Sequence, residues 1–186
     1  MLNDLLNWDK NIFIYLNNLG SEKFDFFWVN VTDITSWIPL IISLVVLVFF
    51  TFPKKEAWII IACFVFLLLI TLGITHLTKE FFGRLRPNND LAINPLIRVL
   101  KNAQGFSFFS GHASSSFAMT FLAILVFKRF YKWVWVLLLW PLIFAYSRIY
   151  VGVHYPLDII FGATVGTILA YLIFLQYKRF NELYKE

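Results

Sequence analysis

Five long apolar runs mark the chain, at about residues 38–52, 57–77, 113–130, 133–150 and 157–177. A helix needs roughly 17–25 apolar residues to cross a bilayer, so the second and fifth runs suffice alone. The first is short, and residues 24–37 (FDFFWVNVTDITSW) are read as its extension. The third opens with Ala113-Ser114-Ser115-Ser116, which predicts a helix starting against protein, not lipid. The fourth carries Pro141, a predicted kink of the kind neighbouring helices tolerate.

Ahead of these runs, Leu2, Leu5, Leu6, Ile12, Phe13, Leu16 and Leu19 fall near helical spacing, with Asp4, Asn7, Asn11 and Asn18 elsewhere. That amphipathic pattern predicts a helix lying in the membrane interface, ended by Gly20-Ser21. Trp28, Trp37, Trp58, Trp133, Trp135, Tyr177 and Tyr184 sit near the ends of runs, where amphipathic rings collect. The expected fold is all-α: a polytopic membrane helix bundle with five transmembrane helices, or six if residues 20–36 insert separately, and an N-terminal interfacial helix. The predicted division is an interfacial segment over 1–36, a membrane-embedded domain over 37–177 and a cytoplasmic tail over 178–186.

Composition narrows the class. Of 186 residues, 60% are hydrophobic and 15% charged, against roughly 45–50% and 25% in soluble domains. A soluble chain of this size cannot hide so much apolar surface. A disordered chain, a secreted disulfide scaffold and a soluble nucleic-acid binder are excluded. Cys63 is the only cysteine, so no disulfide and no zinc cluster forms within one chain. No basic segment precedes an apolar run near the start, so no signal peptide is read.

The net charge of +5 gains meaning from its placement. Lys54-Lys55, Lys128-Arg129 with Lys132, and Lys178, Arg179 and Lys185 fall on one side if there are five spans. Residues 1–36, on the other side, hold five acids and two lysines. The positive-inside rule puts the basic connections in the cytoplasm. The expectation is an integral protein of a bacterial inner (cell) membrane whose other face meets the periplasm or exterior.

The chemistry-bearing residues gather on that other face. Lys79, Arg84 and Arg86-Pro87 follow the second run, Ser110-Gly111-His112 precedes the third, and Ser147-Arg148 ends the fourth. His154 and Asp158 open the fifth. Ionisable residues at membrane depth are functional candidates by default. Arginine grips phosphate through paired hydrogen bonds, and lysine adds a point charge. Two histidines can supply a nucleophile and a proton donor. Asp158, four residues after His154, stands one helical turn away and can orient an imidazole.

These residues form three ordered blocks: Lys79-EFFGRL-Arg86-Pro87, Phe109-Ser110-Gly111-His112, and Ser147-Arg148-IYVGV-His154-YPL-Asp158. In order and spacing the chain resembles the type 2 phosphatidic acid phosphatase superfamily of integral membrane lipid phosphatases, over about residues 57–177. The resemblance implies that His154 attacks phosphorus to give a phosphohistidine and that Asp158 orients it. It implies that His112 protonates the leaving oxygen and then activates water. Lys79, Arg86, Ser110, Gly111 and Arg148 would hold the phosphate. It implies no metal and no cofactor. Phe109 departs from the family's proline and puts the loop's rigidity and substrate fit in question.

The expected substrate is a lipid phosphomonoester or pyrophosphate in the outer leaflet, with undecaprenyl pyrophosphate in front. Phosphatidylglycerol phosphate, phosphatidate and lipid A phosphate are the alternatives, as is phosphotransfer to an acceptor other than water. An anion-binding membrane transporter is the non-enzyme alternative. The expected partners are the lipid substrate and the bilayer, with no nucleic acid. No motif claims Arg84, for which an interfacial or headgroup contact is expected. His76 is read as a packed or hydrogen-bonded histidine, and Gly162, Gly166 and Ala170 as a helix-packing stripe. Within residues 88–109, Leu96, Ile97, Val99 and Leu100 suggest a short interfacial helix, with Arg98 and Lys101 drawing anionic lipid.

Overall fold

A computed structural model describes residues 2–183; Tyr184 and Lys185 lie outside the described residues. The order is α1 (Leu2–Asn18), α2 (Glu22–Val31), a 3-10 turn (Ile34–Trp37) running into α3 (Ile38–Thr51), then α4 (Lys54–Phe82). Two more 3-10 turns, Pro87–Asn89 and Asn94–Leu96, precede α5 (Gly111–Phe127). A 3-10 stretch (Lys132–Leu138) feeds α6 (Leu139–Tyr150), and α7 (Pro156–Leu183) closes the chain. The stretches Ile34–Thr51, Lys54–Phe82, Lys132–Tyr150 and Pro156–Phe180 are long and apolar enough to cross a membrane. The shorter apolar α5 is the fifth member of the bundle.

Helix α5 sits at the centre and packs most extensively on α7. Small residues permit this. A Cβ on Gly166 would lie 2.1 Å from the Ser114 carbonyl oxygen, and one on Gly162 would lie 2.7 Å from that of Ser110. Ala170 continues the stripe, fully buried. Ser114 and Ser116 are buried too, so the helix does begin against protein. Outward-facing Phe50, Leu77 and Phe81 are largely exposed, as lipid-facing residues of a bundle are.

Four local expectations change. Residues 24–37 are not one extension of the first span: α2 ends at Val31, and only Ile34–Trp37 joins α3. The 10 residues of α2 rise about 15 Å, too short for a sixth crossing. Pro141 lies in the first turn of α6, where its missing N–H costs nothing, and the irregularity is instead the 3-10 stretch before it. No helix forms over 96–101. There Leu100 N–H donates to Val151 O at 3.1 Å, tying the segment to the loop after α6. Gly152, at φ +86°, permits this, because a Cβ would stand 2.7 Å from Arg98 O.

The basic connections do share one end of the bundle. Tyr177 Oη donates to Glu56 at 2.6 Å, and Arg129 lies 3.9 Å from the same carboxylate.

Candidate active site

Four helix ends converge at the opposite end. Lys79 lies in the last turn of α4, which Gly83 closes in the left-handed conformation (φ 57°). Ser110 caps α5: its hydroxyl accepts from Ala113 N–H at 3.4 Å, and its own N–H donates to Asp158 O at 2.9 Å, fastening α5 to α7. Arg148 lies in the last turn of α6. Asp158 occupies the first turn of α7, which begins with proline as helix starts favour.

His154 is 1% exposed. Its Nδ1 lies 3.4 Å from Asp158 Oδ2, an oxygen that also accepts Tyr155 N–H at 2.9 Å. Its Nε2 lies 3.0 Å from Arg86 Nη1. A guanidinium can only donate, so Nε2 accepts with its lone pair and the ring proton sits on Nδ1, towards Asp158. Arg86 is itself held by Val153 O at 3.2 Å and Gln104 O at 3.0 Å. Burial, then the charges of Arg86, Arg148 and Lys79, hold the His154 pKa well below its ordinary value. At neutral pH the imidazole is uncharged. Burial also lowers the Arg86 pKa from its ordinary value, but an arginine stays charged.

His112 shares a cavity of about 300 Å³ with Arg148, Thr32, Asp33, Thr35 and Lys101, its ring 5.0 Å from that of Phe144. Arg148 is 7% exposed and donates to Thr32 Oγ1, while its Nε is buried without a partner. Gly111 lies close to α4, where a Cβ would be 3.3 Å from the Thr75 methyl. The end of the bundle therefore gathers Lys79, Arg86, Ser110, Gly111, His112, Arg148, His154 and Asp158. Among the described residues, no group of three or more His, Cys, Asp or Glu is arranged to hold a metal ion.

Several side chains fall elsewhere than expected. Arg84 does not reach for lipid: it bonds Asp158 Oδ1 at 2.8 Å and Asp9 Oδ2 at 2.6 Å. Arg98 donates to both oxygens of Asp25 at 2.7 and 2.6 Å, and Lys101 pairs with Asp33, so neither is free for anionic lipid. His76 is exposed on α4. Phe109 is 3% exposed, whereas Phe108 meets Phe82 and Phe161 at 4.9 and 5.2 Å. The loop's contact with open apolar surface is made by Phe108. The polar contacts of α1 and α2 with this end are not legible in the amphipathic pattern. The one signal for α1 was Asp9-Phe13-Asn17, a repeat of four residues that forms its fully buried face.

An all-helical membrane bundle with histidines, arginines and a lysine gathered at one end is the arrangement expected of an integral membrane lipid phosphatase. The family model of the PAP2 superfamily matches residues 59–182, and the chain belongs to that superfamily. It is 27% identical over 175 residues to the lipid A 4'-phosphatase of Bacteroides thetaiotaomicron, covering 89% of this chain and 75% of that protein. It is 33% identical over 139 residues to the undecaprenyl-diphosphatase of Sulfolobus acidocaldarius, covering 73% and 61%. Its fold is that of Aquifex aeolicus LpxE (TM-score 0.69, 24% identity, 88% of this chain and 92% of that one). It is also that of a PAP2-type phosphatidylglycerolphosphate phosphatase from Bacillus subtilis (TM-score 0.73, 20% identity, 97% and 87%).

Proposed function

We propose that this protein hydrolyses a phosphomonoester or pyrophosphate on an outer-leaflet lipid, without a metal, through a phosphohistidine on His154. The observation that carries the reading is the Arg86–His154–Asp158 alignment. The Nε2 lone pair points at a phosphate-binding guanidinium, and Asp158 faces the opposite nitrogen. A phosphate oxygen that takes over the Arg86 hydrogen bond leaves Nε2 free to attack. The N–P bond forms as the bond to the lipid oxygen breaks, and His112, which takes up a proton as the phosphate dianion binds among the cations, gives that proton to the oxygen. His112 then takes a proton from water, whose oxygen attacks phosphorus and returns the electron pair to Nε2. Lys79, Arg86 and Arg148, with the Ser110 hydroxyl and the Gly111 backbone, neutralise the equatorial oxygens, the largest kind of stabilisation available to such a reaction.

Two substrates lead. Undecaprenyl pyrophosphate suits an outward-facing site, and lipid A is the substrate named for relatives that match over most of this chain. The test is phosphate release from both lipids, and from phosphatidylglycerol phosphate and phosphatidate, by purified protein in detergent with excess chelator. Release that requires a divalent ion overturns the metal-free reading. Release from none of the lipids favours an anion-binding transporter. Sidedness is checked with single cysteines in a Cys63→Ser background. Asn89→Cys should react with an impermeant thiol reagent on intact cells or spheroplasts, and Phe130→Cys only after the membrane is broken.

A further inference from the structure

Behind Asp158, on the side away from His154, runs a buried ion chain that the steps above do not use. Asp158 Oδ1 accepts from Arg84 Nη1 at 2.8 Å. Arg84 Nη2 donates to Asp9 Oδ2 at 2.6 Å. Asp9 Oδ1 accepts the N–H of Leu157 at 2.9 Å. Both carboxylates are 0% exposed and the Arg84 side chain 16%. The guanidinium lies over the Tyr155 ring, 4.0 Å from its centre. Asp9 comes from α1, at the far end of the sequence from α7.

The arrangement has a definite mechanical effect. Arg84 occupies one oxygen of Asp158, which leaves the other to Tyr155 N–H and His154 Nδ1. Asp9 fixes the second edge of the same guanidinium. It also satisfies the Leu157 N–H, one of the orphan donors of the first turn of α7, next to Asp158 in sequence. Helix α1 therefore holds the orienting carboxylate through its cation and through the backbone of the residue before it. Burying Asp9 raises its pKa and the hydrogen bond from Arg84 opposes that rise. A buried carboxylate is costly unless partnered, and Asp9 has two partners, the Arg84 guanidinium and the Leu157 N–H.

We infer that Asp9 and Arg84 are positioning residues that hold Asp158 in register with His154, making the N-terminal helix a working part of the active site. The inference rests on the reading of His154 as nucleophile and Asp158 as its orienter. The rival is a pair that only stabilises the fold. The two differ in how the effects combine, because a pair acting through Asp158 has nothing left to position once Asp158 is neutral.

The test uses the full chain in detergent, with lipid A and undecaprenyl pyrophosphate as probes. Steady-state rates and melting temperatures are measured for Asp9→Asn, Arg84→Lys, Asp158→Asn and the doubles with Asp158→Asn. Asp9→Asn should lower kcat by about 10- to 100-fold, the range seen for partners that orient metal-ligating histidines, with KM little changed. Arg84→Lys keeps the charge but not the fork and should lower kcat by a similar factor. In the Asp158→Asn background both changes should have little further effect on kcat. Equal losses in both backgrounds, accompanied by lower melting temperatures, would mean a structural pair and overturn the inference. Failure of both single variants to give folded protein counts against it in the same way. Activity surviving in His154→Ala removes the nucleophile reading. An inactive His154→Ala beside fully active Asp9→Asn and Arg84→Lys removes only the inference drawn here.

Discussion

The two ends of the bundle are buried by opposite means. At the end bearing the basic connections, Val48, Phe52, Ala57, Phe127, Val134 and Tyr177 belong to one apolar cluster around α5. At the other end the buried side chains include Asp9, Asn17, Arg86, Arg148, His154 and Asp158. Apolar burial is non-directional, so the first end needs shape alone. Buried polar groups are costly unless each finds a partner, so the second end needs scaffolding. Helices α1 and α2 and the loop after α2 supply it, through Lys10–Asp90, Asp9–Arg84, Asp25–Arg98 and Asp33–Lys101. Asn17 adds bonds to the Ile149 and Tyr150 carbonyls, each 3.0 Å. One end is held by apolar packing and the other by paired polar groups.

The most severe test of that division is His154→Ala. General acid–base help alone is worth about 10²–10⁴-fold, and loss of the attacking atom should exceed the upper figure. A residual rate within tenfold of wild type would sink the assignment.

Next comes the converse change, Phe127→Ala, at the apolar end. Phe127 is fully buried and its ring packs against Phe52 at 5.9 Å and Tyr131 at 6.1 Å. Truncating such a side chain costs about 3–5 kcal/mol. Stability in detergent should drop accordingly, while kcat/KM measured well below the melting temperature stays unchanged. A parallel fall in kcat/KM would show that the two ends are not separable.

These two ends were unequally legible in the sequence. The apolar runs and the residues within each motif block lie along single helices or at their ends, where spacing in sequence fixes neighbours in space, so the helices and each block could be read directly; the resemblance brought the blocks together, and the structure gathers them at one end. The scaffold of the polar end could not. Asp9 and Arg84 meet across 75 positions of chain, and only tertiary packing joins them. Of the acids in residues 1–36, Asp9, Asp25 and Asp33 are halves of ion pairs with Arg84, Arg98 and Lys101. The segment 96–101 carries an apolar pattern, yet pairing with Val151 overrides any helix there.

A smaller effect separates the ends by acid sensitivity. The folded pKa of His154 lies below its unfolded value near 6.5. Between those values the unfolded chain binds a proton that the folded chain refuses. Stability therefore falls as pH drops below about 6.5, by up to about 1.4 kcal/mol per unit from this one group. Above that pH the group contributes no slope. Melting temperatures of wild type and His154→Ala, compared from pH 7 to 5, should diverge in favour of the variant. Identical slopes would remove His154 as the source.

The smallest expected effect concerns the border between the two ends. An apolar cleft of about 210 Å³ opens between α3, α4, α5 and α6, lined among others by Val45, Phe64, Val65, Met119 and Trp140. Helix α3 borders it loosely, with 6% of its spanning stretch buried. Met119 follows His112 by seven residues, two turns of α5 and about 10.5 Å deeper on the same face. A hydrocarbon chain leaving the phosphate beside His112 would run down that face into the cleft. Trp140 Nε1, buried there without a partner, marks the wall. Val45→Trp would fill part of this space from a position 39% exposed on α3, so the fold should be spared. Excluding the equivalent of one or two methylenes, at about 0.8 kcal/mol each, raises KM for a long-chain lipid phosphate by about 4- to 15-fold. Hydrolysis of p-nitrophenyl phosphate, which has no chain to seat, should be unaffected. Equal inhibition of both would place the effect on the catalytic end and leave the cleft a packing defect of the apolar one.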